Sequence, residues 1–490
     1  MLKRTALAVA AMTGHVAAAQ VPLDSVRALN DINRDVIRLG RQYGESIWPG
    51  YRPDTIPVAY VFPQQGTALF NWRGALPSGY EPVPALPGVG WLSKQNISAS
   101  NTGISLSGRN VAQVTVNSLR PELVLPVAFH EAMHAFEHSV QKSGMRFGHG
   151  ENSFYVASYP IFDVRNESLW AMEGQLLSEA ISATSLSRKR ELAREFVAVR
   201  RQREQLLEPS YVEFEQASEL NEGPAEYALV RALQLLAVDA GSDSATRAAA
   251  RTMLAKRQND LAKLTENVTQ SFRLRFYQTG PAQALLLDAI AGPTWKANLM
   301  SQNQSLQDAL AEASGLDEPR RAAFRSAVSR LDTSTTAKAA SARVANLVAL
   351  RKHQVDSVLS APGVVVEVSA HELPSRDFNA CGFDPQNHLQ ISPTVQMQTR
   401  WWRPCTSGVS AEFSVPSVHD DETGTVRAVV GSLSDVKVTV AGKPVALTSG
   451  FQLDRAADVH LDAPRANADA KLANLSFDGR ILRIVALPSS

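Results

Sequence analysis

The hydrophobic period of this chain changes at Pro362-Gly363. From about Glu167 to Leu359 the apolar residues fall in long amphipathic runs of helical period, with breaks near Pro209, Gly241, Gly280-Pro281, Gly292-Pro293 and Gly315. Beyond the boundary, Val364–Val368, Ala411–Val415, Val426–Val430, Val436–Val440 and Ile481–Val485 read as strands separated by turn residues. The last part of the helical region, Arg320 to Leu359, is rich in Ala, Ser, Arg and Lys and poor in aromatics, and reads as exposed helices.

Ahead of the helical region the patterns are mixed. Residues 24–45 carry apolar positions at Val26, Leu29, Ile32, Val36, Ile37 and Leu39, a helical spacing. Ile56–Phe62 and Thr67–Trp72 read as strands joined by a turn at Pro63-Gln64-Gln65-Gly66. Residues 75–101 are rich in Gly, Pro and Ser and read as irregular loop, and Val111–Val116 alternates as a strand does. A proline, Pro121 or Pro126, then opens a helix running to about Gln141. The expected fold class is α+β: a small N-terminal β-sheet to about residue 120, a mostly helical part to 360, and a small antiparallel β-domain over 361–490.

A chain of 490 residues exceeds one compact core and predicts two or three domains. Lys plus Arg number 49 and Asp plus Glu 48, so a net charge of +1 gives no long-range field for nucleic acid or an anionic membrane. Basic residues recur over Arg188–Arg203, but interleaved Glu makes that a solvated helix face. At the N-terminus, Lys3 and Arg4 precede a short apolar core, Leu7 to Met12, and the small residues Ala17-Ala18-Ala19. That is the layout of a signal peptide over residues 1–19, cleaved near Ala19, and predicts export to the periplasm or medium. No later stretch is long and apolar enough to span a membrane. The two cysteines, Cys381 and Cys405, can pair in an oxidising compartment. The loop of about 25 residues they would close stabilises by about 3 kcal/mol in the chain-entropy account. The alternative is two separate buried thiols.

The chemistry concentrates in Val127-Ala128-Phe129-His130-Glu131-Ala132-Met133-His134-Ala135-Phe136, which contains H-E-x-x-H. Histidines four apart share one helix face, so His130 and His134 can present nitrogens to one Zn2+ ion. Glu131 lies close enough to act as general base on a metal-bound water and then as acid toward a leaving amine. The competing account is an apolar core helix holding two histidines. His138 is one more turn along, about 12 Å from His130 in axial rise, too far to share that ion. A catalytic metal needs a third protein ligand. Two acidic stretches compete for it: Glu167, Glu173 and Glu179 in one, Glu219, Glu222 and Glu226 in the other. His371, Glu372 and His388 in the strand-rich part have the composition of a metal cluster but no ligand spacing.

H-E-x-x-H followed by Asn221-Glu222-Gly223-Pro224-Ala225 resembles the gluzincin metallopeptidases, the thermolysin- and aminopeptidase-like group. The resemblance implies a zincin-like metallopeptidase domain over residues 20–360. It implies Glu222 as third ligand and Glu226, one turn on, orienting a ligand histidine. It further implies a Tyr or His as oxyanion stabiliser, for which Tyr277 is the candidate, with Tyr227 and His149 as weaker ones. By the same analogy a peptide substrate lies along an edge strand ahead of the motif, at 111–117. The match covers about 20 residues around His130 and about 10 around Glu222. It departs in spacing, since 87 residues separate His134 from Glu222.

The sequence therefore reads as an exported zinc metallopeptidase acting on a peptide or protein. Its rivals are a non-catalytic cell-envelope binding module with structural zinc or none, and a zinc amidase acting on cell-wall amide bonds. No residue pattern fixes the oligomeric state.

Overall fold

The computed structural model describes residues 21–63, 65–93, 101–262, 272–316, 320–331 and 333–488. The signal-peptide expectation over residues 1–19 lies outside them, as does Gln64 of the first expected turn. The helices are α1 Leu23–Ile47, α2 Pro121–Val140, α3 Val164–Ser182, α4 Leu186–Glu204, α5 Pro209–Val238, α6 Ser244–Ala262, α7 Phe276–Ile290, α8 Trp295–Gln302, α9 Leu306–Ser314, α10 Arg320–Arg330 and α11 Thr333–Ser360. The N-terminal strands are β1 Val58–Phe62, β2 Gly66–Phe70, β3 Glu81–Pro82, β4 Gly90–Ser93, β5 Thr102–Leu106 and β6 Arg109–Thr115. The C-terminal strands are β7 Val365–Ser369, β8 Asn379–Phe383, β9 His388–Gln390, β10 Val395–Gln398, β11 Trp402–Cys405, β12 Val409–Phe413, β13 Ser417–Asp420, β14 Thr425–Val429, β15 Lys437–Val440, β16 Lys443–Val445, β17 Phe451–Ala463, β18 Ala466–Phe477 and β19 Ile481–Ala486. The protein is thus mixed α and β, with a small N-terminal sheet and a β-rich C-terminal region. Among the described residues, no helix is long and apolar enough to cross a membrane.

The chain divides into two compact units. The first runs up to Gly148 and takes in Tyr227–Ala255; the second comprises His149–Glu226 and the chain from Lys256 on. Helix α5 is continuous across the division.

In the first unit the sheet order is β3-β4-β2-β1-β6-β5. Only β1 and β6 pair in parallel; the other neighbours are antiparallel. Strand β6 is flanked on both sides, so the expected edge strand at 111–117 is an interior one. The edge beside it is β5, which the sequence hid because Gly103 and Ser105 interrupt Thr102 and Ile104 and no aromatic is present. A turn at Ser107-Gly108, both at positive φ (47° and 75°), folds β5 onto β6 as two-residue hairpins require. The expected irregular loop over 75–101 also contains β3 and β4, and β4 pairs with β2. Helix α2 starts at Pro121, carries Pro126 within it, and packs against β6 and β5. Gly103 lets β5 approach the helix: a Cβ there would stand 3.2 Å from His134 Cβ and 3.3 Å from Ala135 N. Tyr51 donates its hydroxyl to Phe129 O at 2.7 Å, tying the chain after α1 to α2.

In the second unit Gly280-Pro281 does not break the chain but lies inside α7. The physical reason is a backbone crossing. A Cβ on Gly280 would meet Gly223 Cα at 2.7 Å, so two glycines let α7 and α5 touch beside Glu222. In the β-rich region the strands form one hydrogen-bonded network, antiparallel throughout except for the parallel pair β19 and β7. Its longest members, β17 and β18, escaped the sequence reading. Their inward positions are mostly alanine (Ala456, Ala463, Ala466, Ala468, Ala470, Ala473), which gives a weak alternation. Cys381 on β8 and Cys405 on β11 are joined by a disulfide.

Candidate functional site

Helix α2 is buried over nearly all of its middle turns, and its polar residues His130, Glu131, His134 and Glu137 are buried with it. Such a helix is apolar almost all round, so each polar group needs a partner. The two histidines stand one turn apart and turn their rings toward each other: His130 Nε2 lies 3.1 Å from His134 Nε2. Glu131 Oε1 lies 3.8 Å from His130 Nε2. On the far side of the second ring, His134 Nδ1 is 2.9 Å from Glu137 Oε2. That bond fixes the His134 tautomer: with Nδ1–H donated to the carboxylate, Nε2 keeps a lone pair facing His130. His138, the next histidine on the helix, is exposed.

Glu222 sits in the interior of α5 and is also buried. Arg273 Nη2 donates to its Oε1 at 2.7 Å, and Asn221 Nδ2 donates to the same oxygen at 3.2 Å. Arg273 also pairs with Glu151 and donates from Nη1 to the Tyr277 hydroxyl at 2.8 Å. Burial opposes the charge of Arg273, yet Glu222, Tyr277 and Glu151 outweigh it and hold its pKa well above the ordinary value. Burial, and then the Glu222 carboxylate, push the Tyr277 phenol up, so it stays protonated across the biological range. Glu226, one turn after Glu222, forms an ion pair with Arg257 at 2.9 Å. Tyr227 is fully buried with its ring edge-on to Trp48, and His149 is exposed.

The rival acidic stretch is engaged elsewhere. Glu173 accepts from Arg200 Nε at 2.9 Å and Arg203 Nε at 2.6 Å. Glu167 takes both Arg275 nitrogens, at 2.8 and 2.7 Å. Glu179 pairs with Arg330 at 2.6 Å. Arg203 and Arg275 also lie over the Trp170 ring, at 4.3 and 5.3 Å from its centroid.

Among the described residues, His130 and His134 in the first unit and Glu222 in the second each offer a ligand atom of the kind that a metal ion takes. Sequence reasoning named these three but missed Glu137, Glu151 and Arg273. Glu137 was findable as an acid one turn beyond His134; the other two carry no local pattern. The chain matches no protein-family model, no curated protein and no solved structure.

Proposed function

We propose that this chain is an exported zinc metallopeptidase with a zincin-like fold. The observation that carries the reading is the 3.1 Å approach of His130 Nε2 and His134 Nε2 on one buried helix. Two nitrogens bound tetrahedrally at about 2.1 Å stand roughly 3.4 Å apart. Two imidazoles and a carboxylate are a donor set that suits Zn2+. His130, His134 and Glu222 would hold the ion. When bound, zinc supplies a Lewis acid that polarises a carbonyl and acidifies water.

The chain's own residues do the rest. Glu131, beside His130, accepts a proton on its carboxylate and returns it to the leaving amine. Glu137 keeps the His134 lone pair directed at the metal position. Tyr277, protonated and gripped by Arg273, offers its hydroxyl to a developing oxyanion. Arg273 aligns that phenol with Glu222 by binding both. Strand β5, pressed onto α2 through Gly103 and at the edge of the sheet among the described residues, would pair with an extended peptide. The disulfide between Cys381 and Cys405 supports export, since such bonds persist in oxidising compartments.

The test is hydrolysis of casein, and in parallel of a cell-wall preparation, with and without a zinc chelator. Casein cleavage that the chelator stops and zinc restores is expected. Cleavage of the cell-wall preparation alone would move the activity to amide bonds of another polymer. Chelator-resistant cleavage would end the metal reading.

A further inference from the structure

We propose that Asp377, His419 and Asp421 form a second divalent-cation site, in the β-rich region and independent of the histidine pair on α2. Its origin lies in the alternation of three neighbouring strands. Register places Gln398 opposite His388 and Ser417, and Gln396 opposite Gln390 and His419. One face of β9, β10 and β13 is therefore polar. The other, with Leu389, Met397 and Val418, packs on Val355, Val358 and Leu359 of α11. The polar face should be solvated, yet His388, Gln390, Gln398, Ser417 and His419 are all buried.

Gln398 Nε2 donates to His388 Nδ1 at 2.7 Å and His419 meets two carboxylates, but protein partners balance only part of that burial. His388 Nε2, Gln390 Oε1, Gln398 Oε1 and Ser417 Oγ have no hydrogen-bond partner. Unsatisfied buried groups are costly, and four on one face call for a bound species that supplies donors and acceptors together. A hydrated cation does so, its waters donating to the amide oxygens and accepting from His388 Nε2–H, the protonated nitrogen because Nδ1 accepts from Gln398. The ligands stand beside this face. His419 Nε2 is 2.9 Å from Asp377 Oδ1, and His419 Nδ1 is 3.0 Å from Asp421 Oδ1. One ligand atom from each of the three lies within 4.8 Å of the others. Only one ring nitrogen can ligate: with Nε2 given to the ion beside Asp377, Nδ1–H donates to Asp421 and fixes the tautomer. A pocket of about 200 Å³, lined by Asp377, His388, Gln398, His419 and Asp421, provides the entry path and room for water. An imidazole with two carboxylates selects a borderline ion such as Zn2+ or Mn2+ over Ca2+.

The experiment counts bound ions. Metal-stripped full-length protein is loaded with Zn2+, and separately with Mn2+, freed of excess by gel filtration, and analysed by atomic emission. Wild type is expected to hold two ions per chain, His134→Ala one, Asp377→Asn one, and the double variant none. Asp421→Asn, at a half-exposed position that folding tolerates, repeats the second arm. A count unchanged by both Asp377→Asn and Asp421→Asn overturns the proposal, whatever His134→Ala does. A count unchanged by His134→Ala but lowered by the aspartate variants leaves this site standing and removes the histidine-pair reading.

Discussion

Glu137 Oε2 lies 2.9 Å from His134 Nδ1, and both residues belong to the same buried stretch of α2. An acid three residues beyond a histidine on one helix face can hold that ring without help from the rest of the fold. Replacing Glu137 by Gln keeps the shape but weakens the acceptor. Zinc affinity is expected to fall roughly 10- to 100-fold, as for other carboxylates behind ligand histidines. Competition with a chelating dye measures it; an unchanged affinity would show that the bond serves packing alone.

The crossing of α5 and α7 gives a separate expectation. A Cβ at Gly280 would stand 2.7 Å from Gly223 Cα, with backbone rather than a flexible side chain in the way. Gly280→Ala should therefore force the helices apart and cost about 1–3 kcal/mol, the usual range for overpacking. Urea unfolding reads the loss. Because Glu222 and Tyr277 flank the contact, activity should drop further than stability accounts for at a temperature where the variant stays folded.

Arg203 is fully buried, with Glu173 and Glu215 on its guanidinium. Removing it as Arg203→Met strips Glu215 of its guanidinium and leaves Glu173 with Arg200 alone, at a cost of about 3–5 kcal/mol. Arg203→Lys should recover only part of this, since one ammonium cannot serve both acids bidentately. Equal stability of the Met variant and wild type in denaturant melts would refute the network's role.

These residues also show what a single sequence can and cannot disclose. The α2 motif was legible because its chemistry is compressed into five consecutive residues on one helical period. The long amphipathic helices and five C-terminal strands were legible for the same reason, local periodicity. Strands β17 and β18 were not, because their inward positions are mostly alanine, which has little strand propensity and little apolar bulk. Arg273 was invisible because its acid partners Glu151 and Glu222 lie 122 and 51 residues away in the chain. Gly280-Pro281 misled outright: a local breaker pair became the site of a close helix contact, which only the partner helix explains.

His388 supplies the pH dependence. Burial, followed by the charges of Arg351 and His419, lowers its pKa from 6.5 to about 3. The unfolded chain then takes up a proton between those values while the folded chain does not, so stability falls as pH drops from about 6.5 to about 3 and is unaffected above. The total should be on the order of a few kcal/mol. In His388→Gln, whose amide oxygen can still accept from Gln398, acid melts should lose this slope; an identical slope would assign it to other groups.

The most direct test of the account is a zinc-edge anomalous difference map from crystals of the zinc-loaded protein. It should show a peak roughly 2.0–2.2 Å from His130 Nε2, His134 Nε2 and a Glu222 carboxylate oxygen. A map with no density between the two α2 histidines, or a peak there whose third protein ligand is not Glu222, would contradict it.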